Sequence, residues 1–575
     1  MGYKKEEWNL KDILSEKDIP RLLSEVELIT KKIESYKSRF NNKISEKKFR
    51  EIIANFEKLH LSLAKIQQYA ALLFSENTKN QKAIALETKI NEIDTDISNR
   101  LLWFSLNFVD FPEKDIKRLI GSCPHIKYYL EQIVKNKKYK LKENEEKIIN
   151  IKDKNGIEII DRIYEILSSN LLFDFKGKKV TQEELVNEVR NPSPKIRELA
   201  YRTLINTYSQ HKEIIGEIYK AVVSDWHDEN IFLRKYPSPI SVRNKSQDIS
   251  EKTIETLIKV TQKNQILFQK YFKLKAKRLK IKKISRTDIY APLKKSKEKI
   301  NYSEAADKVL SSFKNFSEIF YNEARNILDK KHIHSTIQRG KRGGGFCSSS
   351  IPEIYPYILI NFTDNYESTT TLAHELGHAI HFILSAKKQN IFNAHSALPI
   401  AETASIFSEL ILIEKLKKEN PSIAKELIFQ QLDQLYGTIA RQIEFVEFEK
   451  EIHKIIKNNP TVDEISDLYL NRIKKHFCPE MYIPNYFKYE WLYIRHIFNT
   501  PFYCYAYAFG NLLSLAVYSA YLENKNTKQK LIQMLSEGSS KSPKDLVKEL
   551  GFDIDDERFW QKGFDQIGRM IKEIE

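Results

Sequence analysis

Along most of the chain, apolar residues recur at three-to-four spacing between polar ones, the pattern of helices that bury one face. The clearest stretch is "IIANFEKLHLSLAKIQQYAALLF", and residues 5 to about 115 read as long helices of this kind. "DFPEKDIKRLIGSCP" interrupts the pattern with Pro112, Gly121 and Pro124. A further helical stretch follows, with a turn at "DKNGIEI". "NPSPKIRELAYRTLINTYS" then predicts a helix with prolines at its front. The helical pattern continues to about residue 330, broken near "RKYPSPISVRN" and "RTDIYAPL". No fixed-period repeat and no low-complexity linker divides it, so one helical body is expected rather than a string of small domains.

One segment departs from this habit. "RGKRGGGFCSSSIPEIYPYILINF" carries Gly340, Gly343, Gly344 and Gly345 and then an apolar run, Tyr357 to Phe362. It predicts a glycine-rich loop followed by a strand. The glycine spacing matches neither phosphate-binding fingerprint, which argues against a nucleotide site. The expected fold class is mainly α, with a small β-sheet.

The segment after that strand holds the chemistry. In "TTTLAHELGHAIH", a helix over 369–385 gathers Leu372, Leu376, Ala379, Ile380 and Ile383 into an apolar stripe. His374 and His378, four apart, point together on another face. Two imidazoles one turn apart can hold one zinc ion, and Glu375 beside the first can take a proton from a water that the metal polarises. Gly377 lowers helix propensity and leaves room for a close neighbour. A catalytic zinc needs a third protein ligand. Leu384 stands where a metzincin places its third histidine, which removes that class. The helical stretch "LPIAETASIFSELILIEKL" supplies Glu402, 24 residues after His378, as the third ligand. Glu409 lies seven residues further on the same face and is expected to orient a ligand histidine. His381 shares the ligand face and reads as a supporting or packing residue.

Late in the chain, "RHIFNTPFYCYAYAFGNLL" brings His496 together with Tyr503, Tyr505 and Tyr507. Peptide hydrolysis at zinc needs donors for the oxyanion that forms on the scissile carbonyl, and Tyr O–H and His N–H groups can serve.

Composition changes little. Of the 575 residues, 41% are hydrophobic, enough for a large core, and 16 Gly with 17 Pro fit a mostly helical chain. The formal charge of +17 arises from 94 Lys and Arg interleaved with 77 acids along the whole length, so a solvated surface explains it and neither nucleic acid nor a membrane is an expected partner. Cys123, Cys347, Cys478 and Cys504 form no C-x-x-C pair and read as free thiols. With no apolar leader in "MGYKKEEWNLKDIL" and no long apolar run, a cytoplasmic location is expected.

Taken in order, "EEWNLKDIL", "RTDIYAPL", "KRGGGFC", "YPYILINF", "TLAHELGHAIH", "IAETASIFSE" and "HIFNTPFYCYAYAFG" resemble oligoendopeptidase F, within the thimet-oligopeptidase-like superfamily of zinc metallopeptidases. The resemblance spans nearly the whole chain. It departs at "GGGF", where a glycine replaces the family's alanine. It implies a helical, clam-like body around a deep channel. It implies an N-terminal helical region over 1–110, a small helical domain over 111–185 and a catalytic domain over 186–575. It implies one zinc on His374, His378 and Glu402, with Glu375 as general base. It places the oxyanion donors at His496 and Tyr505, with Tyr503 and Tyr507 as neighbours in the same role. It implies an edge strand that pairs with substrate backbone at Tyr357, Ile358, Leu359, Ile360 and Asn361. The expected activity is zinc-dependent cleavage of internal bonds in short peptides. Helical zinc carboxypeptidases share the histidine motif and later glutamate; a basic helical nucleic-acid-binding protein would leave the motif unexplained.

Overall fold

The computed structural model describes residues 2–293, 299–477 and 481–575. Cys478 lies outside the described residues. Helices dominate, and the strands are few and short, so the fold is mainly α. The described chain forms two compact units, each assembled from three stretches. The first comprises 1–147, 298–416 and 520–552; the second comprises 148–297, 417–519 and 553–575. No described helix is long and apolar enough to cross a membrane.

The first unit begins with three helices, α1 (Ile19–Glu34), α2 (Glu46–Glu76) and α3 (Gln81–Val109). Their buried faces follow the three-to-four spacing of the sequence. Phe49, Ile52, Leu59 and Leu63 of α2 meet Trp103, Phe104 and Phe108 of α3 in one core cluster. Polar caps set the helix starts: the Ser45 side chain accepts from Lys48 N, and that of Asn80 from Lys82 N and Ala83 N. A second cluster joins the other end of α2 to the sheet through Tyr69, Leu72, Trp8, Tyr357 and Leu359.

The sheet has three strands, β1 (Ile333–His334), β2 (Phe346–Ser348) and β3 (Tyr357–Leu359), in the order β1-β3-β2. β3 runs parallel to β1 and antiparallel to β2. The amides of Ile358 and Ile360 donate to His332 and His334 carbonyls at 2.8 and 3.0 Å. Alternation along a strand then turns the amide and carbonyl of Leu359 toward its partner Phe346 on β2. The apolar run Tyr357–Phe362 therefore forms a three-residue strand paired on both sides. It is not the edge strand expected for Tyr357, Ile358, Leu359, Ile360 and Asn361. Tyr357 to Ile360 are at most 1% exposed, which suits a central strand. The edge on this side belongs to β2.

Next in the chain come α4 (Tyr366–Ala386) and α5 (Leu398–Glu419). Asn365 caps α4, its side chain accepting from Ser368 N at 2.8 Å. Gly377 sits in the interior of α4, where glycine forfeits about 1 kcal/mol of helix propensity. The reason lies across the contact: a Cβ at this position would meet Ser405 Cα at 2.6 Å and Ala404 O at 2.7 Å, both on α5. The glycine lets two helix backbones touch. The helix Thr527–Ser536 packs on α4 as well.

In the second unit, α6 (Arg441–Ile455) and most of α7 (Tyr505–Glu523) join the helices Pro194–Ser209 and Lys212–Trp226. As the sequence pattern predicts, the first of these starts on a proline, and Gly156 separates the helices Glu143–Asn155 and Ile157–Asn170. Its interior holds charge as well as apolar surface. Glu490 is 1% exposed and accepts from Arg286 at 2.5 Å, Arg441 at 3.0 Å and Tyr469 at 2.8 Å.

Substituting Gly377 with Ala is expected to destabilise the protein by about 1–3 kcal/mol through overpacking against α5. A thermal melt with and without added metal checks this. An unchanged melting temperature would show that the two backbones can part freely.

Candidate metal centre

α4 and α5 bring three ligand atoms to one point. His374 Nε2 and His378 Nε2 are 3.1 Å apart, and each lies 3.5 Å from Glu402 Oε2. A tetrahedral zinc with bonds of about 2.0–2.1 Å spaces its ligand atoms about 3.3–3.4 Å apart, so this triangle fits such an ion. Among the described residues, these three are the group of potential ligands whose donor atoms converge in this way. Their spacing in sequence explains the convergence. His374 and His378 are one turn apart on α4, and Glu402 is in the first turns of α5.

The surroundings tune each ligand. Glu409 Oε1 accepts from His374 Nδ1 at 2.5 Å, which points Nε2 toward the other ligands. Burial opposes charge on His374, but the Glu409 carboxylate outweighs it and pushes the imidazole up to about 10. Burial also acts against the Glu402 carboxylate, yet His378, His374 and Ser405 hold it down at about 2. Ser405 Oγ donates to Glu402 Oε2 at 3.0 Å. It sits one turn beyond the ligand, a supporting role that sequence reading missed although the i, i+3 spacing offered it. Glu402 is thus held as the anion a cation needs.

Glu375 is 6% exposed, and burial pushes its carboxyl above the usual range. Gly345, just before β2, lies directly against it. A Cβ on that glycine would stand 3.2 Å from Glu375 Oε1 and 3.3 Å from Leu359 O. The three ligands and Glu375 line a cavity of about 370 Å³ with Gly345, Phe346 and Cys347. Its far wall holds Phe382, His381 and His395. His381 is not part of the ligand triangle. It pairs with the Ser396 hydroxyl at 2.8 Å and with the backbone of Ala401, and burial pushes its pKa down to about 4. It is a neutral brace on the loop leading into α5.

Asn361 has a structural role where substrate contact was expected. Its side-chain amide donates to the carbonyls of Arg342 and Gly344 at 3.1 and 3.0 Å, tying down the glycine-rich loop.

His496, Tyr503, Tyr505 and Tyr507 belong to the second unit. Three of the four sit together. His496 Nε2 lies 3.1 Å from the Tyr507 hydroxyl, and its ring is parallel to that of Tyr503 at 5.8 Å. Burial pushes His496 below the usual imidazole range, so it is neutral near pH 7. The turn before them is strained: Phe502 is fully buried with φ 59°, and its amide donates to buried Glu449 Oε1 at 2.7 Å. Tyr505, the tyrosine preferred from the sequence, departs from this group. It is 0% exposed, its hydroxyl is buried without a partner among the described residues, and burial pushes its phenol up. The resemblance had put Tyr505 ahead of Tyr503 and Tyr507. α7 begins at Tyr505, so helical geometry turns Tyr505 into the interior.

The comparisons agree with this geometry. A family model described as "Peptidase family M3" matches residues 189–566, and one described as "Oligopeptidase F" matches residues 108–173. The chain is 27% identical over 568 residues to an oligoendopeptidase F homolog of Borreliella burgdorferi, covering 96% of this chain and 94% of that protein. It is 26% identical over 565 residues to oligopeptidase PepF of Bacillus subtilis, covering 95% of this chain and 83% of that one. In fold it is similar to oligoendopeptidase-F from Enterococcus faecium, with a TM-score of 0.73 at 20% identity, covering 96% of this chain and 98% of that one.

Replacing Glu409 with Gln keeps the shape but removes the charge behind His374. Zinc affinity is expected to fall about 10–100-fold, read by competition with a chelator. Wild-type affinity would mean that the His374–Glu409 contact does not tune the ligand.

Proposed function

The chain belongs to peptidase family M3 and is a metalloendopeptidase; from that premise we propose that it uses one zinc ion, held by His374, His378 and Glu402, to cleave internal bonds of short peptides. The observation that carries this reading is the ligand triangle of 3.1, 3.5 and 3.5 Å, with Glu375 beside it and Glu409 behind it. A bound zinc would polarise the scissile carbonyl and make the attacking water more acidic.

The remaining steps belong to the chain. Glu375 takes a proton from the water as its oxygen attacks the carbonyl carbon. The C–N bond then breaks, and Glu375 passes that proton to the departing amine. Burial suits Glu375 to both steps, because a carboxylate raised above its usual range takes a proton more readily, and the departing amine, a much stronger base, still takes that proton from it. We assign oxyanion stabilisation to His496 with Tyr507, and Tyr503 as a neighbour, in place of Tyr505. The peptide backbone is taken up along the free edge of β2. With Phe346 facing β3, alternation leaves the amide and carbonyl of Cys347 directed outward, next to Gly345 at the base. Backbone pairing of this kind reads little of the side chains, and broad sequence tolerance follows. The thiols of Cys123, Cys347 and Cys504 are free, which supports a reducing, cytoplasmic setting.

Glu375→Gln is expected to retain zinc at wild-type stoichiometry while turnover falls about 10²–10⁴-fold. Substantial activity in the metal-loaded variant would refute the general-base role. Tyr507→Phe is expected to lower kcat about 10²–10³-fold with little change in KM, while Tyr505→Phe leaves kcat near wild type. The reverse ranking would return the role to Tyr505. Mass spectrometry of a digest of peptides blocked at both ends, with and without a chelator, tests the reading as a whole. Internal cleavage that the chelator abolishes and zinc restores supports it; removal of single C-terminal residues, seen only with unblocked peptides, overturns it.

A further inference from the structure

Lys341 opens the glycine-rich loop, and its side chain goes inward. Its Nζ donates to three main-chain carbonyls, those of Thr336 at 2.6 Å, Ile360 at 2.8 Å and His334 at 3.1 Å. All three lie at or just beyond the ends of the parallel strands β1 and β3, where carbonyls run out of strand partners. Burial of the ammonium works against its charge, pushing its pKa down to about 8 despite Glu7 and Glu76 nearby. A buried cation in such a place is costly unless fully hydrogen-bonded, and here it is.

The rest of the loop is tied down residue by residue. The Gly340 carbonyl accepts from Thr78 N at 2.7 Å and Thr78 Oγ1 at 2.9 Å. The Arg342 amide donates to Ser75 O at 2.9 Å. Asn361 holds the Arg342 and Gly344 carbonyls from the sheet side. The loop delivers the chain to Gly345, where a Cβ would stand 3.2 Å from Glu375 Oε1, and then to β2. None of these hydrogen bonds involves His374, His378 or Glu402.

We propose that Lys341 is a positioning residue for peptide binding: its ammonium, fixed to the ends of β1 and β3, anchors the glycine-rich loop so that the free edge of β2 faces the peptide backbone at the correct distance from Glu375. This rests on the reading that the peptide pairs with β2. Lys341 itself contacts no substrate. A purely structural lysine would change stability alone; a positioning one changes how well an extended backbone is held.

The experiment uses the full-length, zinc-loaded protein, a fluorogenic peptide and matched analogues carrying single backbone N-methyl groups. Wild type is expected to lose affinity for one or more of the methylated analogues. Lys341→Met is expected to bind zinc as wild type does, to raise KM for the parent peptide about tenfold with kcat within about twofold, and to discriminate less against the methylated analogues. Lys341→Arg, which keeps a cation and several donors, is expected to restore most of the KM. If Lys341→Met does not fold, Asn361→Leu releases the same loop from the other side and is expected to raise KM in the same way. Unchanged KM in the variant that folds, with wild type still penalised by N-methylation, overturns the role of Lys341 and leaves peptide pairing on β2 intact. A wild type indifferent to every N-methyl group overturns the pairing itself, and the positioning role with it.

Discussion

The centre depends on one close approach. Three ligand atoms must stand within 3.5 Å of one another, two from α4 and one from α5. That is possible only if the two helix backbones nearly touch, and Gly377 is where they do, against Ala404 and Ser405. Histidine and glutamate side chains have limited reach, so the helix contact, more than the ligand residues, sets the size of the site. Ser405 takes part in both, since its backbone packs on the glycine and its hydroxyl holds Glu402. A shift between the helices would move the third ligand and its support together.

Around that triangle, charge is arranged by burial and pairing rather than by proximity alone. Burial acts against the Glu402 carboxylate, but imidazole and hydroxyl partners draw it into its charged form, while burial raises Glu375; Glu409 sits against His374 Nδ1. Two acids set against the same histidines, Glu402 and Glu375, are thus shifted in opposite directions.

Much of this was legible in the sequence because it follows helical spacing. His374, His378, Glu402 and Glu409 are placed by the 3.6-residue period, and the long apolar-striped helices of the first unit follow the same rule. Two features were not legible, for different reasons. The run Tyr357–Phe362 showed that a strand exists, but a two-residue period cannot tell an edge strand from a central one; that depends on β1, a two-residue strand formed by residues more than twenty positions earlier. Tyr505 was expected from the resemblance alone; it lies where a turn becomes a helix, and helical geometry, which motif matching does not see, turns it into the interior. Lys341 is hidden by its type, since a lysine in a basic, glycine-rich stretch reads as exposed until its carbonyl partners are known.

The chain passes between its two compact units five times, and neither unit is continuous in sequence. During synthesis, all three residues of the candidate metal centre have been made by residue 402, yet the unit that contains them is finished only at residue 552, after the helix Thr527–Ser536 that packs on α4. The other unit waits for the terminal helix Glu557–Ile574. A nascent chain therefore carries the motif of a protease from residue 402 to residue 552 without the packing that would fix the geometry of that motif. Any truncation before residue 552 removes part of the unit that houses the centre. The unit that houses the centre thus needs the chain as far as residue 552, a condition imposed by topology alone.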